Sequence, residues 1–302
     1  MTIYVGTNQG GDIADLAANL NATNSTEIFE GGELDAYVDK DANVLLGHSE
    51  FLGFSTTVAM AEDWNTRGYK EIKLEETSNE LVYINNFVDV NINNQSDKGS
   101  SFIKVDNVKR ADIDTGVGTD DVLDISVFTN GGSSTVNQLS LNTGSGDDVV
   151  TLSSDIAKSS HTVFNIDVGA DNDIVDISGI NNAKGAWADR SVTGGEGLDV
   201  LIFNEDAALE FDGFEVLESG TAGGVLSLDE DEVINNSTAE GVLVVSGFDV
   251  DFEFAATNIG TVDAAQGAYL DSLGFDATDF EVITANIDGS EYTLLVDDVE
   301  VV

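Results

Sequence analysis

The sequence predicts a fold dominated by β-strands, with a parallel β-solenoid at its centre, β-rich segments on either side and a few short helices. A turn rich in glycine and aspartate recurs four times, and its marker residues Asp121, Asp148, Asp173 and Asp199 are spaced by 27, 25 and 26 residues. Short apolar runs alternate with these turns, and the 302-residue chain contains no proline, which suits ladders that need every backbone N–H. A period this steady indicates one coil of a stacked structure per repeat.

We divide the chain into three segments. Residues 1–85 form a mixed N-terminal segment, where 2–5 predicts a strand and the apolar spacing of 12–20 and 56–64 predicts two short helices. Residues 86–220 form the β-solenoid, in which Gly, Asp and Asn clusters supply turn positions with positive φ. Residues 221–302 form an acidic, β-rich C-terminal segment with one helix over Ala264–Leu273.

Strands follow from alternating or continuous apolar runs. In the solenoid they are predicted over 81–84, 87–92, 102–105, 136–141 and 162–166, and beyond it over 214–218, 224–228, 241–245, 280–283 and 292–296. The other corners of each coil are predicted to be plain loops, such as 130–132 and 181–182.

The recurring turn also predicts a chemistry. Residues 194–201 read Gly-Gly-Glu-Gly-Leu-Asp-Val-Leu, in which the glycines permit left-handed backbone and close approach between coils. Turn carbonyls and aspartate carboxylates can then surround a hard cation such as Ca²⁺. The predicted ligands are Asp121, Gly144, Gly146, Asp147, Asp148, Gly169, Asp171, Asp173, Gly195, Gly197 and Asp199, with Asp114 and Asp167 further out.

Charge supports a cation over ordinary β-turns. The chain carries 57 acidic and 11 basic residues, a net charge of −46, and no Lys or Arg follows Arg190. Carboxylates in that last part find no protein cation, so divalent ions or salt must offset their repulsion. Nucleic acid and anionic membranes are disfavoured as partners because both require basic patches. No apolar run reaches the length of a membrane-spanning helix, and the absence of cysteine excludes disulfides.

The sequence offers no convincing catalytic constellation. His48 and His161 are the only histidines, and neither belongs to a zinc motif or a nucleophile elbow. With so many acids, a pair of carboxylates at a suitable distance for glycoside cleavage carries no information. We predict core packing for Trp64 and Trp187. The run 229–232 is predicted to be a solvated loop, and the basic residues Lys104, Lys109 and Arg110 an ordinary surface group.

The repeats resemble those of the RTX family of bacterial calcium-binding proteins, which leave the cell by type I secretion. Residues 194–201 fit the family's turn in full, whereas Thr143 and Asp171 stand where two of the glycines belong, and the period exceeds the family's tandem nonapeptides. The resemblance implies a β-roll-like solenoid, widened to fit this period, with Ca²⁺ as its cofactor. Residues 1–6 lack the features of a Sec signal, and the acidic, apolar tail 296–302 is similar to C-terminal type I export signals. Residues 211–218 look like connectors of RTX-type surface-layer proteins.

Together these features lead us to expect a secreted, calcium-stabilised structural protein that is extracellular or at the cell surface and self-assembles into a layer or fibre. Its main partner would be further copies of itself, with cell-surface polysaccharide as another, and the strands near 2–5 and 292–296 are the expected joints. The alternatives are a β-helical polysaccharide lyase or hydrolase, an adhesin, or a virion surface protein. A halophilic cytosolic protein would explain the acidity but not the spaced turns.

Overall fold

The structure is a computed structural model that describes part of the chain. The described residues are 3–7, 34–39, 44–49, 55–60, 71–75, 81–85, 89–93, 102–116, 120–127, 136–153, 161–180, 189–204, 209–221, 224–238, 241–254 and 256–297. The predicted helix 12–20, the predicted loops 130–132 and 181–182, Trp64, Trp187 and the side chains of His48 and His161 lie outside them.

Two parallel sheets form the body of the molecule. The strands of the N-terminal half are β1 (Ile3–Thr7), β2 (Leu34–Asp39), β3 (Val44–Ser49), β4 (Ser55–Met60), β5 (Glu71–Glu75), β6 (Leu81–Asn85), β7 (Asp89–Asn93), β8 (Phe102–Val108), β9 (Arg110–Asp114), β10 (Val122–Val127), β11 (Val136–Asn142) and β12 (Val149–Ser153). They are followed by β13 (His161–Ala170), β14 (Ile174–Gly179), β15 (Arg190–Glu196), β16 (Val200–Phe203), β17 (Leu209–Asp212), β18 (Val216–Ser219), β19 (Gly224–Leu228), β20 (Val242–Ser246), β21 (Phe248–Phe252), β22 (Ala256–Thr261), β23 (Phe280–Ile287) and β24 (Ser290–Asp297).

Successive strands alternate between the sheets, so each coil contributes one strand to each. Sheet A has 13 strands in the order β1-β4-β6-β8-β10-β12-β14-β16-β18-β20-β24-β23-β22, and sheet B has 9 in the order β17-β15-β13-β11-β9-β7-β5-β3-β2. The pairing from β4 to β20 in sheet A and from β3 to β17 in sheet B is parallel throughout. The predicted β-dominated, parallel solenoid is therefore confirmed.

The core lies between the sheets and consists of stacked aliphatic columns. Strand alternation sends every second side chain inward, and the inward residues of consecutive coils share a register, as in Leu123–Val150–Val175–Leu201 of sheet A, all with no exposed surface. Leu141 and Ile166 of sheet B are buried in the same way. Because like side chains repeat at one level of every coil, the short apolar runs that follow the turns were sufficient to predict them.

The N-terminal region differs from the prediction. Residues 56–64 were expected to form a helix, but 55–60 form β4, which pairs in parallel with β6. The run Thr56-Thr57-Val58 is β-branched, and such side chains lose rotamer freedom in a helix but pack well on a pleated sheet. Parallel pairing thus extends upstream of residue 86, and β1 and β2 join the ends of the two sheets in antiparallel orientation.

The C-terminal end is closed by helices and aromatic side chains. Helix α1 (Glu230–Asn235) contacts β17, and α2 (Ala264–Leu273) packs its buried Leu270 with Val216 and Val244 on the outer face of sheet A. Inside the stack, the Phe203 and Phe248 rings lie 4.9 Å apart. The five C-terminal strands predicted from sequence are confirmed, and so is the helix over Ala264–Leu273. The run 229–232, expected to be a loop, instead begins α1, because Asp229 and Glu232 form a capping box.

Helix α2 gives a first testable prediction. The Asp263 carboxylate accepts hydrogen bonds from the backbone N–H groups of Ala265 (2.8 Å) and Gln266 (2.9 Å), which would otherwise lack partners. Replacing Asp263 by alanine is expected to lower the free energy of unfolding by about 1 kcal/mol in urea titrations. Asp271→Ala, which removes the same charge from an exposed position of the same helix, is the control. Equal losses in the two variants would contradict the capping role.

Candidate metal site at the glycine–aspartate corner

The recurring turns lie one above another along a single edge of the solenoid, where the chain passes from sheet B to sheet A. They connect β9 to β10, β11 to β12, β13 to β14, β15 to β16 and β17 to β18. We call this edge the Gly-Asp corner. Its described residues are 115–116, 120–121, 143–148, 171–173, 197–199 and 213–215.

Glycine is required at one level of the corner. Gly116, Gly144, Gly169 and Gly195 occupy equivalent positions with φ of 100°, 94°, 100° and 112°, values that disfavour any side chain. A Cβ built on Gly169 or Gly195 would overlap the carbonyl oxygen of the equivalent glycine in the preceding coil. One level further on, Asp171 takes a glycine position and adopts φ of 82° itself. The turns therefore stack at distances that only glycine permits.

The marker aspartates form a continuous column, which we call the inner ladder. The backbone N–H of Asp121 donates to Asp148 Oδ1 (2.7 Å), that of Asp148 to Asp173 Oδ1 (2.8 Å), and that of Asp173 to Asp199 Oδ1 (2.8 Å). The ladder continues to Glu215, whose Oε2 accepts from the N–H of Asp199 at 2.9 Å. Each carboxyl thus caps the N–H of the coil before it.

The residues one position earlier form a second column, the outer ladder, that runs the opposite way. The backbone N–H of Asp147 donates to Asp120 Oδ1 (3.0 Å), that of Asn172 to Asp147 Oδ1 (2.9 Å), and that of Leu198 to Asn172 Oδ1 (3.1 Å). Here each side chain caps the N–H of the coil after it. Two antiparallel chains of hydrogen bonds therefore join adjacent coils outside the sheets.

Burial makes the inner ladder electrostatically unusual. Asp148, Asp173 and Asp199 have no exposed surface, and within the described residues the second oxygen, Oδ2, of each has no hydrogen-bond donor. Burial raises the pKa of Asp148 and Asp199 to about 7 and that of Asp173 to about 8, and neighbouring carboxylates add to these increases. Burial also raises the pKa of Glu215. Without a counter-ion these carboxyls must hold protons or bear a large desolvation cost.

The arrangement is a row of carboxyls, not a cluster. Neighbouring strands lie about 4.8 Å apart, so successive members of the inner ladder are spaced by about one coil. Among the residues that the structure describes, no three His, Cys, Asp or Glu side chains converge on one point. A cation bound between coils would therefore combine one or two carboxylates with backbone carbonyls, which suits the flexible oxygen coordination of Ca²⁺.

The structure sorts the predicted site residues into distinct places. Asp121, Asp148, Asp173 and Asp199 share the inner ladder, Asp147 belongs to the outer ladder, and Gly144, Gly146, Gly169, Gly195 and Gly197 line the stacked backbone. The carboxylate of Asp171 is exposed, while its N–H donates to the carbonyl of Glu196 at 2.8 Å. Asp114 and Asp167 lie on the outer face of sheet B at one register level.

Three corner residues were not predicted: Asp120, Asn172 and Glu215. Glu215 was missed because it follows Asp199 by 16 residues and not by the usual period. An available signal was the acid before an apolar pair, since Glu215-Val216-Leu217 repeats the pattern of Asp199-Val200-Leu201. The coil between them is short, but the corner is preserved.

The basic group near the first repeat is divided by the fold. Lys104 lies on β8 in sheet A and pairs with Asp124 at 2.5 Å, whereas Arg110 lies on β9 in sheet B. Lys104 and Arg110 therefore do not form a single basic patch.

Known proteins offer no relative from which the role of the corner could be read. No family model, no curated protein and no solved structure matches this chain. In the part of the chain that the structure describes, neither helix is long and apolar enough to cross a membrane.

Proposed function

We propose that this chain is a secreted, calcium-stabilised structural protein whose copies assemble into an extracellular layer or fibre. The observation that carries the proposal is the inner ladder, in which the buried oxygens Asp148 Oδ2, Asp173 Oδ2 and Asp199 Oδ2 have no donor among the described residues. Buried carboxylates ordinarily need a hydrogen-bond donor, a cation or a proton.

Calcium fits these residues better than protons do for a protein working near neutral pH. With pKa values of about 7 to 8, Asp148, Asp173 and Asp199 would be only partly protonated there. Each deprotonation would then place a negative charge beside another carboxyl in a site that excludes water. A divalent cation offsets two such charges, and the chain supplies no Lys or Arg beyond Arg190 to do so. Calcium, when bound, would supply charge neutralisation and a bond between coils.

Assembly is proposed from the ends of the sheets. Unpaired edge strands can add a strand from another chain. The expected joint at 292–296 is wrong, because β24 is paired on both sides, with β20 and with β23. The edge of sheet A at that end is β22, and β1, which includes part of the expected joint at 2–5, is the opposite edge. We therefore place the proposed joint between β22 of one copy and β1 of the next.

Negative-stain electron microscopy of the full chain in millimolar calcium, with matched samples in chelator and in magnesium, tests the proposal. We expect ordered filaments or lattices in calcium that disappear in chelator, and calcium uptake in equilibrium dialysis. Compact single particles with bound calcium would overturn the assembly part, and an absence of calcium uptake would overturn the metal part.

A matched pair of variants assigns the metal to the corner. Asp148→Asn with Asp173→Asn preserves the shape and the Oδ1 acceptors of the inner ladder but removes two charges. Asp249→Asn with Asp251→Asn makes the same charge change at exposed positions of β21. Only the first pair is expected to reduce calcium uptake. Equal uptake in both pairs would place the ions elsewhere.

A further inference from the structure

A groove crosses the outer face of sheet B, on a different part of the surface from the Gly-Asp corner. It has a volume of about 490 Å³ and spans three consecutive strands, β7, β9 and β11. Its walls are the outward side chains Asn91, Arg110, Asp112, Gln138 and Ser140. Its floor is formed by the buried residues Val90, Ala111 and Leu139.

The register of the strands makes the walls regular. Asn91, Asp112 and Ser140 are aligned across the three strands, and Arg110 is aligned with Gln138 two residues earlier. The two rows are therefore separated by about 7 Å along the strands, and members of one row by about 4.8 Å across them. The groove thus runs along the solenoid axis and presents the same kind of group at each coil.

The walls are made of planar polar groups. An amide, a carboxylate and a guanidinium each present neighbouring hydrogen-bonding atoms in one plane, and Gln138 and Asn91 offer both a donor and an acceptor. Arg110, Asp112, Gln138 and Ser140 are exposed, so these groups are accessible from solvent. Asn91 Nδ2 donates to Asp112 Oδ2 at 3.1 Å, which orients that carboxylate along the row. Adjacent hydroxyl pairs of a sugar ring match such groups two atoms at a time.

Other ligand classes fit less well. An extended peptide docks on a sheet through main-chain hydrogen bonds at an edge, but β7, β9 and β11 are paired on both sides in the middle of sheet B. Polyanions are repelled by a net charge of −46. Within the groove, Arg110 and Asp112 carry opposite charges, so its local surface favours a neutral ligand. An apolar ligand would leave the polar walls without partners.

We propose that this groove binds a neutral polysaccharide chain, laid along the solenoid axis and held by Arg110, Asp112 and Gln138. Such a site would attach the proposed extracellular assembly to a neutral glycan at a cell surface, and in that respect the inference builds on the proposed function. Binding itself uses residues outside the Gly-Asp corner and needs no contact between copies.

The test is binding of the full chain, in calcium buffer, to immobilised neutral hexose and N-acetylhexosamine oligomers, with acidic oligosaccharides and acidic peptides on the same array. We expect retention on at least one neutral oligomer only. Gln138→Ala should weaken that binding by roughly tenfold, because one side chain's paired hydrogen bonds are lost. Ser140→Tyr should abolish it by filling the groove. The control, Asn165→Ala, changes an exposed residue in the same register column outside the groove and should bind as the parent does.

Folding of each variant is checked by its circular dichroism spectrum and unfolding midpoint. Failure of every neutral oligomer to bind, retention of peptides or acidic sugars instead, or equal binding by the parent and Ser140→Tyr would each overturn the inference. Calcium-dependent filaments without glycan binding would leave the proposed function standing while this inference fails. Glycan binding by a chain that never assembles would do the reverse.

Discussion

Replacing Gly195 by alanine is expected to lower the free energy of unfolding by on the order of 3 kcal/mol, among the largest losses from adding a single carbon to this chain. Two costs combine at this position. The backbone has φ of 112°, which strains any residue with a Cβ, and that Cβ would also overlap the carbonyl oxygen of Gly169 in the preceding coil. The coils cannot separate locally, because the parallel ladders on both sides fix their spacing.

A control within the chain separates these two costs. Gly289 has φ of 88°, but beyond its chain neighbours no atom of the described residues lies within 4 Å of the position that a Cβ would take there. Gly289→Ala should therefore cost only about 1–2 kcal/mol of backbone strain. Urea titrations of the two variants and the parent provide the comparison. Equal losses would mean that stacking at the corner contributes nothing, and the close-approach account of the glycine column would have to be abandoned.

The stability of the chelated chain is expected to fall as the pH rises from about 4 to about 8. In the unfolded chain the inner-ladder aspartates have their ordinary pKa of 3.8, whereas in the folded chain burial raises the pKa of Asp148 and Asp199 to about 7 and of Asp173 to about 8. Between these values the folded state holds protons that the unfolded state has lost, so each step up in pH favours unfolding. A rise of about three pKa units corresponds to about 4 kcal/mol for one such group.

Calcium should reverse this dependence. It binds the deprotonated carboxylates, so the stabilisation it gives is expected to be small near pH 4 and to grow through the same window. Unfolding midpoints measured across this range, in chelator and in calcium, provide the test. Asp173→Asn should flatten the curve in chelator and reduce the calcium effect, whereas the exposed Asp249→Asn should do neither beyond its effect on net charge. A chelated chain that becomes more stable towards pH 8 would contradict the account.

The two ladders explain how so acidic a corner can hold its shape. Inner-ladder side chains cap the coil before them and outer-ladder side chains cap the coil after them, so the Asp147–Asp148 and Asn172–Asp173 pairs tie their turns in both directions. A single substitution in one ladder leaves the other intact. We therefore expect the corner to fail gradually with successive substitutions, unlike the glycine column, where one added carbon meets backbone.

Several elements were predictable because their causes are local. The helix Ala264–Leu273 follows from its apolar spacing, and its N-terminal Asp263 caps it as such residues do. The strands after each turn follow from their apolar pairs. Local signals failed where pairing decided the outcome: residues 55–60 carry apolar spacing that suits a helix, yet they lie beside β6 in sheet A.

The sequence by itself determined the period, the identity of the corner and the shortage of cations, because these depend only on spacing and composition. Tertiary structure alone decided which carboxyl oxygens are buried, that Glu215 extends the inner ladder from a coil of different length, and that Asn172 and Asp120 cap the neighbouring coils. It also decided that β22, not β24, ends sheet A. The physical reason is that each of these ladder contacts joins residues 16 to 27 positions apart, which meet only after the coils have stacked.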